Sequence, residues 1–149
     1  MRRHLTIMGS ALFVVAVSAV LVAQAANDSG GPQSARQFVG YWMGIDPLDG
    51  GDSRRGITRN PGGAFSVIGR DTVFTLCDGT DRAIVTVDEA TVAGSALVSD
   101  DFVITCTGDG PIVHLKVRYD VIDRNVVRET LTSQSGEPVD EIIFHRVSD

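Results

Sequence analysis

The sequence predicts an all-β domain, an up-and-down antiparallel β-barrel of about eight to ten strands behind an export signal. Three observations carry that reading. From Phe38 onward apolar residues recur with period two, and no run of helical period follows the N-terminal leader. Turn-forming clusters separate the runs: Asn60-Pro61-Gly62-Gly63, Gly69-Arg70-Asp71, Asp78-Gly79, Gly108-Asp109-Gly110-Pro111, Asp123-Arg124-Asn125 and Ser135-Gly136-Glu137-Pro138. All five prolines fall in turns or in the polar segment before the first strand. A meander of this many strands has exposed edges unless it closes, and about eight strands enclose an interior that side chains fill or that holds one small ligand. A two-sheet sandwich is the competing architecture, but sandwiches usually need Greek-key crossovers rather than hairpins.

The leader comes first along the chain. Met1-Arg2-Arg3-His4 is basic, Leu5 to Val22 is apolar apart from Thr6, Gly9, Ser10 and Ser18, and Ala23-Gln24-Ala25 has the small-x-small form of a cleavage site. This predicts a signal peptide over residues 1–25 and a secreted or periplasmic protein. A retained anchor is the competing reading, since Leu5 to Ala26 is about long enough to span a bilayer. The cleavage site and the polar tail behind it favour removal. Residues 26–37 have linker composition and predict a flexible arm, leaving 38–149 as a single domain.

Cleavage would leave about 124 of the 149 residues, enough chain to bury a core. It would also reduce the 13 basic residues to 11 against 19 acidic ones, a net charge of about −8. That balance argues against nucleic acid and anionic membrane as partners, because both are bound through clustered Lys and Arg. No stable membrane insertion is expected once the leader is gone. Cys77 and Cys106 predict one disulfide in an oxidising compartment. Its loop of about 30 residues is worth roughly 3.6 kcal/mol in the chain-entropy account. A reactive thiol would need a neighbouring base, and no cysteine-protease or redox signature accompanies either residue.

Phe38-Val39-Gly40-Tyr41-Trp42-Met43-Gly44 reads as the first strand and holds the only tryptophan. Between about Arg82 and Thr107 the cysteines constrain the count. In an up-and-down meander Cys77 ends at one rim, and Cys106 regains that rim only if a single hairpin lies between them. One strand from Arg82 to Ala93, a turn at Gly94-Ser95 and a second strand from Ala96 to Thr107, irregular near Asp100, satisfy this. Alternation is cleanest from Pro111 to Asp123, where Val113, Leu115, Val117, Tyr119 and Val121 share one face and His114, Lys116, Arg118 and Asp120 the other. Glu129, at spacing two from Val127 and Leu131, points inward and needs a partner such as Tyr119. The last strand runs from about Val139 to Val147, with Ile142, Phe144 and Arg146 on one face.

Gly40-Tyr41-Trp42 resembles the Gly-x-Trp opening of the lipocalins and their wider calycin group, small barrels that mostly bind apolar ligands. In that group the tryptophan packs against a basic residue near the end of the last strand, so the resemblance implies that Arg146 lies over Trp42 at a closed barrel floor. The chain is shorter than a typical lipocalin, lacks a helix after the last strand and has no Thr-Asp-Tyr motif. Avidin-like and other short calycin barrels fit it equally well.

The leading functional expectation is a secreted, non-enzymatic protein holding a small hydrophobic or amphipathic molecule inside the barrel. Phe65, Phe74, Phe102, Leu115, Val117, Tyr119 and Glu129 would line the cavity, although packed core is the alternative role for each. Trp42, Arg146, Cys77 and Cys106 would be structural. The competing expectation is an exported protein-binding module or inhibitor with a filled barrel, touching its partner through the loop of residues 46–55. A third is a barrel isomerase or cyclase, for which Glu129 with Tyr119 is the available pair. Asp46, Asp49 and Asp52 lie in a glycine-rich loop whose spacing is not that of an EF-hand, and Arg54 and Arg55 can neutralise them. His114 and His145 both face solvent by parity. No metal, cofactor or catalytic residue is expected.

Overall fold

Eight strands follow one another around a closed barrel, each antiparallel to its neighbours in the chain. The computed structural model describes residues 35–73, 75–77 and 82–149. The expected signal peptide, residues 26–34 of the expected arm and Phe74 lie outside these. The strands are β1 (Gly40–Ile45), β2 (Asp52–Arg59), β3 (Phe65–Asp71), β4 (Ala83–Ala93), β5 (Ala96–Cys106), β6 (Ile112–Asp123), β7 (Val126–Thr132) and β8 (Pro138–Ser148). Pairing of β1 with β8, through Trp42 opposite Arg146 and Gly44 opposite Phe144, completes the ring.

The barrel has two rims. At the lower one lie residues 35–39, the turns 60–64, 94–95 and 124–125, and the C-terminus. At the upper one lie the connections 46–51, 107–111 and 133–137, with residues 72–73 and 75–77 after β3. Cys77, in a single 3-10 turn (Thr75–Cys77), is bonded to Cys106 at the end of β5, so both cysteines sit at the upper rim. A single hairpin, β4 and β5, lies between them as parity required; it turns at Gly94-Ser95 as expected and is one residue shorter than expected at each outer end. Its irregularity falls between Ser99 and Phe102, where the register against β6 shifts.

One expectation of the strand layout needs correction. Gly69-Arg70-Asp71, read as a turn, is instead the end of β3, with Gly69 paired to Arg55 and Asp71 to Ser53. A Cβ at Gly69 would lie 2.3 Å from the Arg54 carbonyl oxygen and 2.8 Å from Arg55 Cδ. Glycine is needed there to make room for an inward arginine on the adjacent strand, not to turn the chain.

Inward positions form one continuous core. Trp42, Ile57, Val67, Val85, Ile104, Leu131 and Phe144 are all at most 1% exposed. Ala35 of the expected arm and Phe38 at the start of the domain close the lower rim: both are buried, and the Phe38 ring meets Phe65 edge to face at 6.4 Å.

Candidate functional site

Strand parity brings four polar side chains together inside the barrel. Ser53, Arg55 and Ile57 alternate inward along β2, Asp71 ends the inward row of β3, and Tyr119 on β6 is paired directly with Glu129 on β7. Arg55 is the hub. Its Nε donates to Glu129 Oε2 at 2.8 Å and its Nη2 to Glu129 Oε1 at 2.8 Å. Its Nη1 and Nη2 donate to the two Asp71 oxygens at 2.8 and 3.3 Å. With Nη1 also donating to the Arg54 carbonyl at 2.9 Å, all five guanidinium donors are engaged. The Phe102 and Phe144 rings lie 5.6 and 5.1 Å from the guanidinium carbon.

One cation and two carboxylates share this space. Desolvation by itself would lower the Arg55 pKa, but Glu129 and Asp71 outweigh it and hold it well above the ordinary value. Burial, reinforced by the Glu129 charge, raises the Tyr119 pKa well above that of a free phenol. Tyr119 is therefore a neutral donor, and its hydroxyl gives a 2.6 Å hydrogen bond to Glu129 Oε2. A general base needs a free lone pair within reach of substrate. Glu129 accepts three hydrogen bonds and is 0% exposed. As arranged, the cluster ties four strands together and offers no open site for proton transfer.

At the lower end Trp42 and Arg146 meet as the resemblance implied, with the guanidinium carbon 4.1 Å from the ring centroid. Arg146 also donates from Nη2 to the Gln37 carbonyl at 2.6 Å, and from Nη1 to the Val39 carbonyl at 2.5 Å. The Trp42 indole N–H donates to the Phe38 carbonyl at 2.9 Å. Gly40 has φ of +136°, and a Cβ there would lie 2.6 Å from Arg146 Nη1 and 2.7 Å from the Ser148 carbonyl. The Gly-x-Trp spacing thus has a local cause: glycine lets the chain turn into β1 against Arg146, and Trp42 is the next inward position.

Six of the seven residues expected to line a cavity are described. Phe65, Phe102, Leu115, Val117, Tyr119 and Glu129 are all inward and buried. None of them lines the grooves between residues of the outer wall and rims. Sequence reasoning missed Arg55 and Asp71, and it misplaced Arg55. Arg55 does not neutralise the 46–52 loop, because β2 begins at Asp52 and directs it into the barrel, so only residues 46–51 of the expected contact loop are loop. The acids of that loop brace it from within: Leu48 N–H donates to Asp46 Oδ1 at 2.7 Å and Gly51 N–H to Asp49 Oδ1 at 2.8 Å. The signal that points to Arg55 is the alternation Ser53, Arg55, Ile57 combined with an inward Glu129 that requires a cation. His114 and His145 are exposed, His114 beside Asp101 at 2.7 Å.

No known protein family, curated protein or solved structure matches this chain.

Proposed function

We propose that this chain is an exported, non-enzymatic protein-interaction module on a lipocalin-like barrel whose interior maintains the fold and whose outer wall and rims meet the partner. One observation carries the reading. The barrel interior, where an enclosed ligand would lie, is crossed by the Arg55, Asp71, Glu129 and Tyr119 cluster, every member at most 1% exposed. A ligand entering there would have to break a cation from two carboxylates, which costs several kcal/mol. Export is supported by the leader and by the Cys77 to Cys106 disulfide. Kinship with lipocalins is supported by Gly40, Trp42 and the stacked Arg146.

A carrier of a small apolar or amphipathic molecule is the second reading. It is favoured by a cavity at the upper rim between Asp46, Leu48, Thr75, Leu76, Val139 and Asp140. At about 100 Å³ it is smaller than the 300–1,000 Å³ typical of ligand pockets. Native mass spectrometry of the protein purified from its own source decides between the two. The module reading expects the bare mass of the mature chain. A stoichiometric small molecule that survives desalting and dissociates on unfolding would replace it with the carrier.

A further inference from the structure

The outer wall formed by β8, β1, β2, β3 and β4 carries two adjacent rows of outward residues. One runs Ser148, Tyr41, Gly56, Ile68, Thr86, and the next runs His145, Met43, Arg54, Arg70, Ile84. Gly56 has no side chain, and the Tyr41 ring leans over it, 3.2 Å from where a Cβ would lie. Beside that ring runs an open groove of about 480 Å³, lined by Tyr41, Gly56, Ile68, Val147, Arg54 and Arg70. Tyr41, Ile68 and Val147 are each at least 60% exposed, and among the described residues six of the ten exposed large hydrophobic ones lie on this wall. Contiguous apolar surface of this kind marks an interaction site more often than scattered residues do.

The second row supplies the charge. Arg54 and Arg70 are both exposed and directly opposite one another, a like-charged cross-strand pair that destabilises a sheet. Among the described residues neither side chain has an ion-pair partner. This pair stands beside an apolar groove in a chain whose net charge is −6. We propose that the groove docks an acidic segment of a partner protein. An apolar side chain of that segment packs in the groove against the Tyr41 ring and Ile68, and a neighbouring carboxylate takes the two guanidiniums. Tyr and Arg together are the residues that most often dominate binding energy, and the arginine fork matches a carboxylate.

Two other occupants fit less well. An anionic bilayer would be repelled by the rest of an acidic chain and would find only two arginines. A two-fold dimer through this groove would bring the same basic patch of both copies together. The proposal rests on the module reading above.

The test uses the mature, disulfide-bonded protein, panned against a displayed library of random short peptides. Enriched peptides should carry Asp or Glu beside Leu, Ile or Phe. Their affinity should fall roughly tenfold or more in the Arg54→Ala/Arg70→Ala variant and stay unchanged in Arg118→Ala. Arg70→Glu separates binding from folding. Facing Arg54 with an acid removes the repulsion, so the melting temperature should hold or rise while peptide binding is lost. Peptides that bind the double variant as tightly as the natural sequence would overturn the groove and leave the module reading standing. The absence of any selected peptide would overturn the proposal, and with a co-purifying small molecule would remove the module reading as well. Arginine-dependent binding to phosphatidylglycerol vesicles, or a dimer abolished by Arg70→Glu, would overturn it in favour of a membrane or a second copy.

Discussion

Replacing Arg55 with methionine removes the hub of the interior while nearly conserving its length. The substitution deletes the Arg55 hydrogen bonds to Glu129 and Asp71 and leaves both carboxylates buried without a cation. Tyr119 still donates to Glu129, so one carboxylate keeps one partner. Breaking a buried pair by removing one member costs about 3–5 kcal/mol. For a barrel of about 110 residues, each kcal/mol lowers the melting temperature by roughly 4 °C. The expected fall is therefore roughly 12–20 °C at pH 8, followed by circular dichroism with the disulfide intact.

The pH dependence of that loss tests its cause. Without the cation, two buried carboxylates are left uncompensated, a cost carried by their charged forms. The deficit of Arg55→Met should therefore be largest at pH 8 and shrink towards pH 4. Replacing Arg55, Asp71 and Glu129 together with apolar residues of similar volume should recover most of the loss. An Arg55→Met protein melting within about 4 °C of the natural one at pH 8 would refute the argument that these charges depend on one another.

Four further outcomes are expected. Arg146→Ala removes the stack on Trp42 and the bonds to the Gln37 and Val39 carbonyls, so it should cost about 2–4 kcal/mol and red-shift the single-tryptophan emission; an unchanged spectrum and melting curve would remove Arg146 from the closure. Gly69→Ala forces a Cβ to within 2.3 Å of the Arg54 carbonyl and should destabilise by about 1–3 kcal/mol in denaturant titrations. Reducing the disulfide frees a loop between cysteines 29 residues apart and should cost about 3–4 kcal/mol; equal denaturation midpoints with and without reductant would contradict this. Asp140 is raised to about 6 by desolvation and then by Asp46, so its contribution is complete below about pH 4 and lost as pH climbs through 6; Asp140→Asn should flatten that slope and, after solvent screening, add about 1 kcal/mol at pH 8.

Local patterns carried most of the barrel. Val113 to Val121 alternate without interruption, and the two cysteines restrict residues 82–107 to one hairpin, so strand number and register there follow from residues close in sequence. The Trp42 and Arg146 contact spans the whole domain, yet it was legible because the family resemblance names both ends. Arg55 was not. Its carboxylates lie 16 and 74 residues away, and the adjacent pair Arg54-Arg55 looks like ordinary surface charge beside an acidic loop. Asp71 was hidden by Gly69, which carries the composition of a turn while serving as the gap that admits the Arg55 side chain. A buried ion cluster is a property of the assembled sheet, and each member in isolation has the composition of the surface.

The adjacency of Arg54 and Arg55 gives the cluster a second consequence. Successive residues of a strand face opposite sides, so a one-residue slip of β2 would exchange the two arginines. Such a slip would bring Arg54 inward and place Arg55 on the outer wall, and it would also turn Ile57 and Ser53 out of the core. An apolar core tolerates some misregistry, since Val, Ile and Ala replace one another at modest cost. A guanidinium that engages all five donors with Asp71, Glu129 and the Arg54 carbonyl does not. The interior charges thus hold β2 against β3 in the single register that sets Arg54 outside, opposite Arg70, and leaves Gly56 lining the groove. The same residue that ties the interior strands together fixes the geometry of the wall on which, in the proposed reading, a partner would dock.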